Sequence, residues 1–252
     1  MIDLRDIPEE RIFQLVERLD TRGPRYTSYP TVPVWKEDLP VELYLKALER
    51  LGADGNPYAI YVHLPFCRSR CLYCGCNSYI TRDADRMGRY MEALTVEVDR
   101  TAERLPANTR HGHLHLGGGT PTYTPLDLLE KFLDRLIVQL PGTEDAERSI
   151  EVDPRVTTRD YLDLLAARGF TRISIGLQDF DPGVQQAVRR LFSFEQMEAF
   201  IAQARGTGFT SVNIDLIYGL PQQTRTTWVA TLEAVARLKP DRIACFGYAH
   251  LP

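Results

Sequence analysis

Four of the five cysteines fall within ten residues: Cys67, Cys71, Cys74 and Cys76 in PFCRSRCLYCGCN. Thiolates are soft donors suited to zinc or to iron–sulfur clusters. If all four met on one metal ion, the site would be closed. In the alternative, Cys67, Cys71 and Cys74 each hold one iron of a [4Fe–4S] cluster, and the fourth iron is free to chelate a small molecule. Structural zinc sites draw their ligands from two separated pairs, whereas one tight loop carries them here, so the C-x3-C-x2-C spacing favours the cluster. Zinc and inert thiols stay open on spacing alone. Cys245 stands apart inside an apolar run and reads as a core residue.

Other chemistry-bearing residues admit plainer readings. His111, His113 and His115 alternate and would share one strand face, but a packed or surface trio is simpler than a metal site. Arg68, Arg70, Arg82, Arg86 and Arg89 flank the cysteines and could meet carboxylates; a solvated basic face explains them as well. Arg22 and Arg25, beside Tyr26 and Tyr29, carry the same ambiguity. Asp153 precedes Pro154 and reads as a cap or turn residue.

The elements that must position these groups follow from patterning. The 252 residues are 44% hydrophobic and 25% charged, the composition of a soluble globular protein. A net charge of −4 gives no general electrostatic case for nucleic acid. No run approaches the ~20 apolar residues of a membrane span. Acids stand at the N-terminus where a signal peptide would be basic, and clustered rather than spread cysteines argue against a secreted disulfide framework, so the chain reads as cytoplasmic. Two helical segments are expected at residues 8–19 and 40–51, with the Pro- and aromatic-rich GPRYTSYPTVPVW between them. From Tyr58 on, strands at 58–64, 111–117, 149–153, 172–178, 211–219 and 242–248 alternate with helices at 86–105, 125–140, 158–168, 194–206 and 226–238. Such alternation means parallel βα units. Polar residues stand at the end of nearly every strand, which suits a barrel opening on one face better than a doubly wound sheet with one switch point. The expected fold is an α/β partial (β/α)6 barrel over residues 56–252, preceded by an N-terminal helical and extended segment over 1–55. The chain stops directly after the sixth strand and so looks truncated.

With the cysteine loop ending the first strand and GGGTPT following the second, the sequence resembles the radical S-adenosylmethionine superfamily. Within it, GPRYTSYPT, YVHLPFC, CGCN, GGGTPTY, IEVDPR, GLQDF, NIDLIYGLP and FGYAHLP resemble the oxygen-independent coproporphyrinogen III dehydrogenase family, from about Pro24 to Pro252. Members of that family continue into a mainly helical C-terminal domain.

The resemblance implies that Cys67, Cys71 and Cys74 ligate a [4Fe–4S] cluster whose open iron binds S-adenosylmethionine. It implies two such molecules per chain. Tyr61, Gly118 and Glu151 correspond to positions contacting the first. Tyr73, Gly119, Thr120, Gln178, Arg190, Asp215 and Ala249 correspond to positions contacting the second. Glycines suit such a place because they let the backbone approach a ligand closely. Cys76 completes the CGCN of this branch and corresponds to a functional accessory in catalysis. Where the family reads Asn-Arg-x-Gln, this chain has Arg189-Arg190-Leu191-Phe192, so only the arginine is kept.

The implied activity is oxidoreductase: a 5′-deoxyadenosyl radical takes hydrogen from coproporphyrinogen III propionates, which become vinyl groups in protoporphyrinogen IX during heme biosynthesis. The implied partners are that substrate and an electron donor such as flavodoxin or ferredoxin, acting on a monomer without nucleic acid or membrane. Two rivals are a radical-SAM heme carrier or heme-degrading protein, and a zinc-knuckle interaction module.

Overall fold

The computed structural model describes residues 8–19, 34, 36, 38–52 and 54–249. The expected strap, with Arg22, Arg25, Tyr26 and Tyr29, lies outside the described residues, as does His250. The chain divides into two compact units, Met1–Tyr44 and Leu45–Pro252. The helices expected at either side of the strap are α1 (Glu9–Leu19) and α2 (Val41–Leu48). Glu42 in the first turn of α2 and Lys46 in its last complement the helix dipole.

The main unit runs β1 (Tyr58–Leu64), β2 (Phe66–Cys67), β3 (Tyr79–Ile80), α3 (Ala84–Ala102), β4 (His111–Gly118), α4 (Leu126–Gln139), β5 (Gly142–Val152), α5 (Arg159–Ala167), β6 (Arg172–Gln178), α6 (Pro182–Val188), α7 (Phe194–Thr207), β7 (Ser211–Tyr218), α8 (Arg225–Leu238) and β8 (Arg242–Gly247). Six strands form one all-parallel sheet in the order β1-β4-β5-β6-β7-β8. Each strand pairs with the next long strand in the chain, with no reversal of order. A doubly wound sheet would contain a switch point, so this is the consecutive order of a partial barrel. The remaining pair, β2 and β3, forms a separate two-residue parallel ladder.

Side-chain alternation sorts the sheet into two faces. Leu64, Leu114, Leu116, Ile150, Ile173, Ile175, Val212, Ile214 and Leu216 are buried in the continuous core with Leu129, Leu133 and Leu136 of α4, Leu162 and Leu165 of α5, and Met197 and Ile201 of α7. The helices touch in series, α3 on α4, α4 on α5, α5 on α7 and α7 on α8. Residues one position out of phase occupy the other face, and there the sequence is polar: Tyr61 pairs with His115, Glu151 with Ser174, Ser174 with Asn213, and Gly176 with Asp215.

Helix starts are chemically marked. Asp83 caps α3 by accepting from Arg86 N, and Asp181 caps α6 by accepting from Val184 N with Pro182 in the first turn. Ser193 with Gln196 and Thr224 with Thr227 close reciprocal capping boxes on α7 and α8. The expectation for Cys245 fails: it is exposed, not a core residue. It lies on β8, which among the described residues is an edge strand paired with β7 alone, and where Ile243 and Phe246 are exposed too.

Candidate active site

The cysteine loop leaves the sheet directly after β1 and is closed at its base by backbone pairing. Tyr79 N donates to Pro65 O at 2.7 Å and Thr81 N to Cys67 O at 3.3 Å, which holds β2 against β3. Within the loop, Cys74 N donates to Cys71 O at 3.1 Å, and Leu72 N is tied to Val188 O at the end of α6. The span between Cys67 and Tyr79 is thereby fixed at both ends and in the middle.

The glycine segment after β4 lies against this loop. Gly119 N donates to Leu64 O and Thr120 N to Phe66 O, both at 2.9 Å. A Cβ on Gly119 would stand 2.5 Å from Pro65 O, so no side chain fits. Gly118 has φ +114°, and a Cβ there would lie 2.8 Å from the His63 ring. The close approach explains why glycines occupy both positions. Thr120 Oγ1 is 3.5 Å from Cys67 Sγ.

The loop, the glycine segment and the strand ends enclose a cavity of about 480 Å³. Cys67, Cys71, Cys74, Cys76, Tyr73, Gly118, Gly119, Thr120, Glu151, Gln178, Arg190 and Asp215 all line it. Of the residues that the resemblance assigns to S-adenosylmethionine, Tyr61 and Ala249 do not. Tyr61 stacks on His115 with ring centroids 5.9 Å apart, and its hydroxyl is 3.0 Å from His63 Nδ1. Ala249 follows β8 and is exposed. The histidine trio is split: His111 is buried, with Nδ1 2.8 Å from Leu140 O, whereas His113 is exposed beyond a register irregularity. Among the described residues no three His, Cys, Asp or Glu side chains converge to hold a single metal ion. A four-iron cluster places each thiolate on its own iron, so its sulfurs must frame a cavity rather than meet at a point.

The thiols are electrostatically unequal. Cys74 is lowered to about 6, chiefly by a hydrogen bond from Cys76, against the opposing effect of burial. Donating that bond raises Cys76, and burial raises it further. Burial also raises Cys67, offset in part by Thr120. Cys71 faces two guanidinium groups: Arg190 Nη1 at 3.6 Å and Arg155 Nη2 at 3.9 Å from its sulfur.

The carboxylates divide the same way. Glu151 accepts from Gly118 N at 3.2 Å and lies 3.4 Å from His115 Nε2, so it braces the glycine segment. Asp215 accepts from Asn213 Nδ2 at 2.7 Å and from Ser174. Burial and the Glu151 charge outweigh those bonds and raise it to about 6. Asp153 forms the expected turn, accepting from Arg155 N at 3.0 Å. It is also an ion-pair hub, 2.6 Å from Arg155 Nη2 and 3.2 Å from Arg190 Nη1. Burial alone would raise its pKa, but the two arginines hold it below the ordinary range. The motif IEVDPR contained both partners of this turn, yet nothing in it pointed to Arg190, so the hub was not legible in advance.

Gln178 combines two features of a binding position. Its backbone is left-handed at φ 75°, beside a register irregularity of β6, and its buried Oε1 has no hydrogen-bond partner among the described residues. Strained backbone and an orphaned buried acceptor both cost free energy, and such costs concentrate at ligand sites. A second, shallower groove of about 550 Å³ lies beside the cavity, lined by Arg68, Arg82, Arg155, Tyr123 and Tyr161.

Comparison with known proteins agrees with the fold. The family model described as the Radical SAM superfamily matches residues 61–235. The chain is 44% identical over 238 residues to the oxygen-independent coproporphyrinogen III oxidase of Escherichia coli K12, covering 94% of this chain and 51% of that one. It is 40% identical over 240 residues to the Pseudomonas aeruginosa protein of the same name, at 94% and 52% coverage. The solved structure of coproporphyrinogen III oxidase (HemN) from Escherichia coli, described as a radical SAM enzyme, superposes with a TM-score of 0.86 at 42% identity, over 95% of this chain and 53% of that one. Native anSMEcpe with bound AdoMet shares the fold alone, at a TM-score of 0.55 and 16% identity over 77% of this chain and 52% of that one. The chain spans about half the length of the curated relatives it matches.

Proposed function

Because the chain belongs to the radical SAM superfamily, we propose that it carries the catalytic core of an oxygen-independent coproporphyrinogen III oxidase. The reaction is oxidative decarboxylation of coproporphyrinogen III propionates to vinyl groups, giving protoporphyrinogen IX. The cofactors of this superfamily are a [4Fe–4S] cluster and S-adenosylmethionine; when bound, they supply a 5′-deoxyadenosyl radical able to take a hydrogen atom from a propionate side chain.

The residues present fit those cofactors. Cys67, Cys71 and Cys74 face one cavity from one fixed loop and would hold three irons, leaving the fourth for the amino and carboxylate groups of S-adenosylmethionine. Gly118 and Gly119 pack against His63 and Pro65 where no side chain fits, which sets their peptide groups in the cavity wall facing that ligand. Glu151 fixes the Gly118 amide and keeps an acceptor at the cavity wall. Gln178 Oε1, which has no donor among the described residues, is free to accept one from a ligand. Tyr73, Thr120, Arg190 and Asp215 line the part of the cavity where a second S-adenosylmethionine would lie, with Ala249 beyond the end of β8. Arg190 is already bonded to Asp153, Gly176 O and Cys71, so it acts there as a fixed wall. Cys76 is the proton-bearing partner of Cys74 and the accessory thiol of the site. A reducing cytoplasm would keep these thiols free, and a low-potential flavodoxin- or ferredoxin-type donor would supply electrons to a monomeric enzyme.

The observation that carries this reading is the convergence of three thiols, two side-chain-intolerant glycines and an unpaired buried acceptor on one cavity. The test is EPR of anaerobically reconstituted, reduced protein with and without S-adenosylmethionine. A [4Fe–4S]⁺ signal that shifts on adding the ligand, with methionine formation abolished in Cys71→Ala, is expected. A silent sample with stoichiometric zinc would overturn the reading, and tight heme binding without turnover of coproporphyrinogen III would replace the substrate assignment.

A further inference from the structure

Arg155 has no role in the site as proposed, yet its side chain is held by several partners. The Asp153 carboxylate accepts from its Nε at 3.0 and 3.1 Å and from Nη2 at 2.6 Å. Its Nη1 donates to Arg189 O at 3.3 Å. Its guanidinium lies over the Phe192 ring at 5.5 Å, and the Arg190 guanidinium lies over the same ring at 5.3 Å. The free direction of Nη2 points to Cys71 Sγ at 3.9 Å. Two cations and one anion therefore meet beside that sulfur, leaving one positive charge uncompensated. The Asp153 and Arg190 side chains are only 8% and 9% exposed and that of Arg155 is 29% exposed, so water screens the buried Arg190 end of the hub least. Phe192 stands where the resembling family reads Gln, and its ring covers one side of both guanidinium groups.

Resting on Cys71 as a cluster ligand, we propose that Arg155 is a positioning residue: it orients Cys71 by a charge-assisted N–H···S hydrogen bond and raises the reduction potential of the cluster. Reduction adds one electron, taking the cluster from the 2+ to the 1+ state, with no bond made or broken. The electron comes from a low-potential one-electron donor, dithionite in the experiment. The added negative charge is shared with the thiolates, so an N–H donor and a positive charge at Cys71 favour the reduced state.

The test is an EPR-monitored redox titration of the reconstituted wild type, Arg155→Lys and Arg155→Gln, with iron per chain measured on each. Arg155→Gln, which removes the charge and the fork, is expected to lower the ratio of reduced to oxidised cluster about tenfold at a fixed potential, or about 59 mV for a one-electron couple. Arg155→Lys, which keeps the charge and loses the fork, should fall between. A fully loaded Arg155→Gln protein at the wild-type potential would overturn the proposal. Should Arg155→Gln not take up iron, Arg155→Lys decides: a potential below wild type supports the proposal, and the wild-type value overturns it. A wild-type protein that forms no [4Fe–4S] cluster would overturn both this inference and the function it rests on, whereas an unshifted variant overturns this inference alone.

Discussion

Replacing Asp215 with Asn is expected to stabilise the protein at pH 8 by up to about 3 kcal/mol. The carboxyl lies on the polar face of β7, where burial and the Glu151 charge raise it from 3.8 to about 6 despite the bonds from Asn213 and Ser174. That displacement of roughly two pKa units corresponds to about 3 kcal/mol. An unfolded chain titrates Asp near 3.8, so between 3.8 and about 6 the native state holds a proton that the unfolded state has lost. Stability therefore falls as pH rises through this window, and above it the whole penalty for the buried charge is present. Asn removes the charge and keeps the shape. Its Oδ1 can still accept from Asn213, and the Ser174 hydroxyl can turn to accept from the new amide. Urea melts of wild type and Asp215→Asn at pH 8 and pH 4 measure the difference directly. The gain should be present at pH 8 and nearly absent at pH 4. Equal effects at both pH values, or a less stable variant at pH 8, would refute this account of the site.

Asp153→Ala should cost about 3–5 kcal/mol, because it leaves Arg155 and Arg190 unpaired beside each other. Adding Arg155→Gln should recover part of that loss in the same urea melts. The sign of the Asp153 contribution is opposite to that of Asp215: its native pKa is depressed, so its stabilisation is present above the ordinary aspartate value and disappears as pH falls. Gly119→Ala should lower iron uptake on reconstitution with little change in circular dichroism, since a Cβ 2.5 Å from Pro65 O pushes the glycine segment off the cysteine loop. Leu133→Ala, in the middle of the α4 face buried on the sheet, should cost about 2–5 kcal/mol by thermal or urea unfolding and leave cluster binding intact.

Periodicity made most of this architecture legible. The strands expected at 58–64 and 172–178 are β1 and β6 to the residue, because one face of each is largely buried and alternation holds over most of their length. β5 was expected only over its apolar end at 149–153, yet it runs Gly142–Val152. Its polar start, TEDAER, is strand by pairing with β4 across an irregular register, which no local pattern encodes. The helix α6 carried a start signal in Asp181-Pro182, but seven residues are too few for a helical period. α7 runs through Gly206 to Thr207. Two-residue strands such as β2 and β3 have no pattern at all; only the meeting of Cys67 with Ile80 creates them. At the site, the cysteine spacing and the glycine run were local and readable. The Asp153–Arg155–Arg190 hub was not, because it joins the turn after β5 to the segment after α6, which only folding brings together. Cys245 misled for the same reason: an apolar run marks a strand but does not say whether that strand lies at an edge.

The consecutive strand order has a consequence for synthesis on the ribosome. Each long strand pairs with the one made just before it, so the sheet can assemble in the order in which it emerges, without rethreading. The cysteine loop follows the first strand and is the oldest part of the site. Arg190, which packs against Cys71, emerges 114 residues after Cys76. At about 5–20 residues per second, that interval lasts roughly 6–23 s. Throughout it the thiols lack the wall that later encloses them, so the nascent chain passes through a stage in which its most reactive side chains face the solvent.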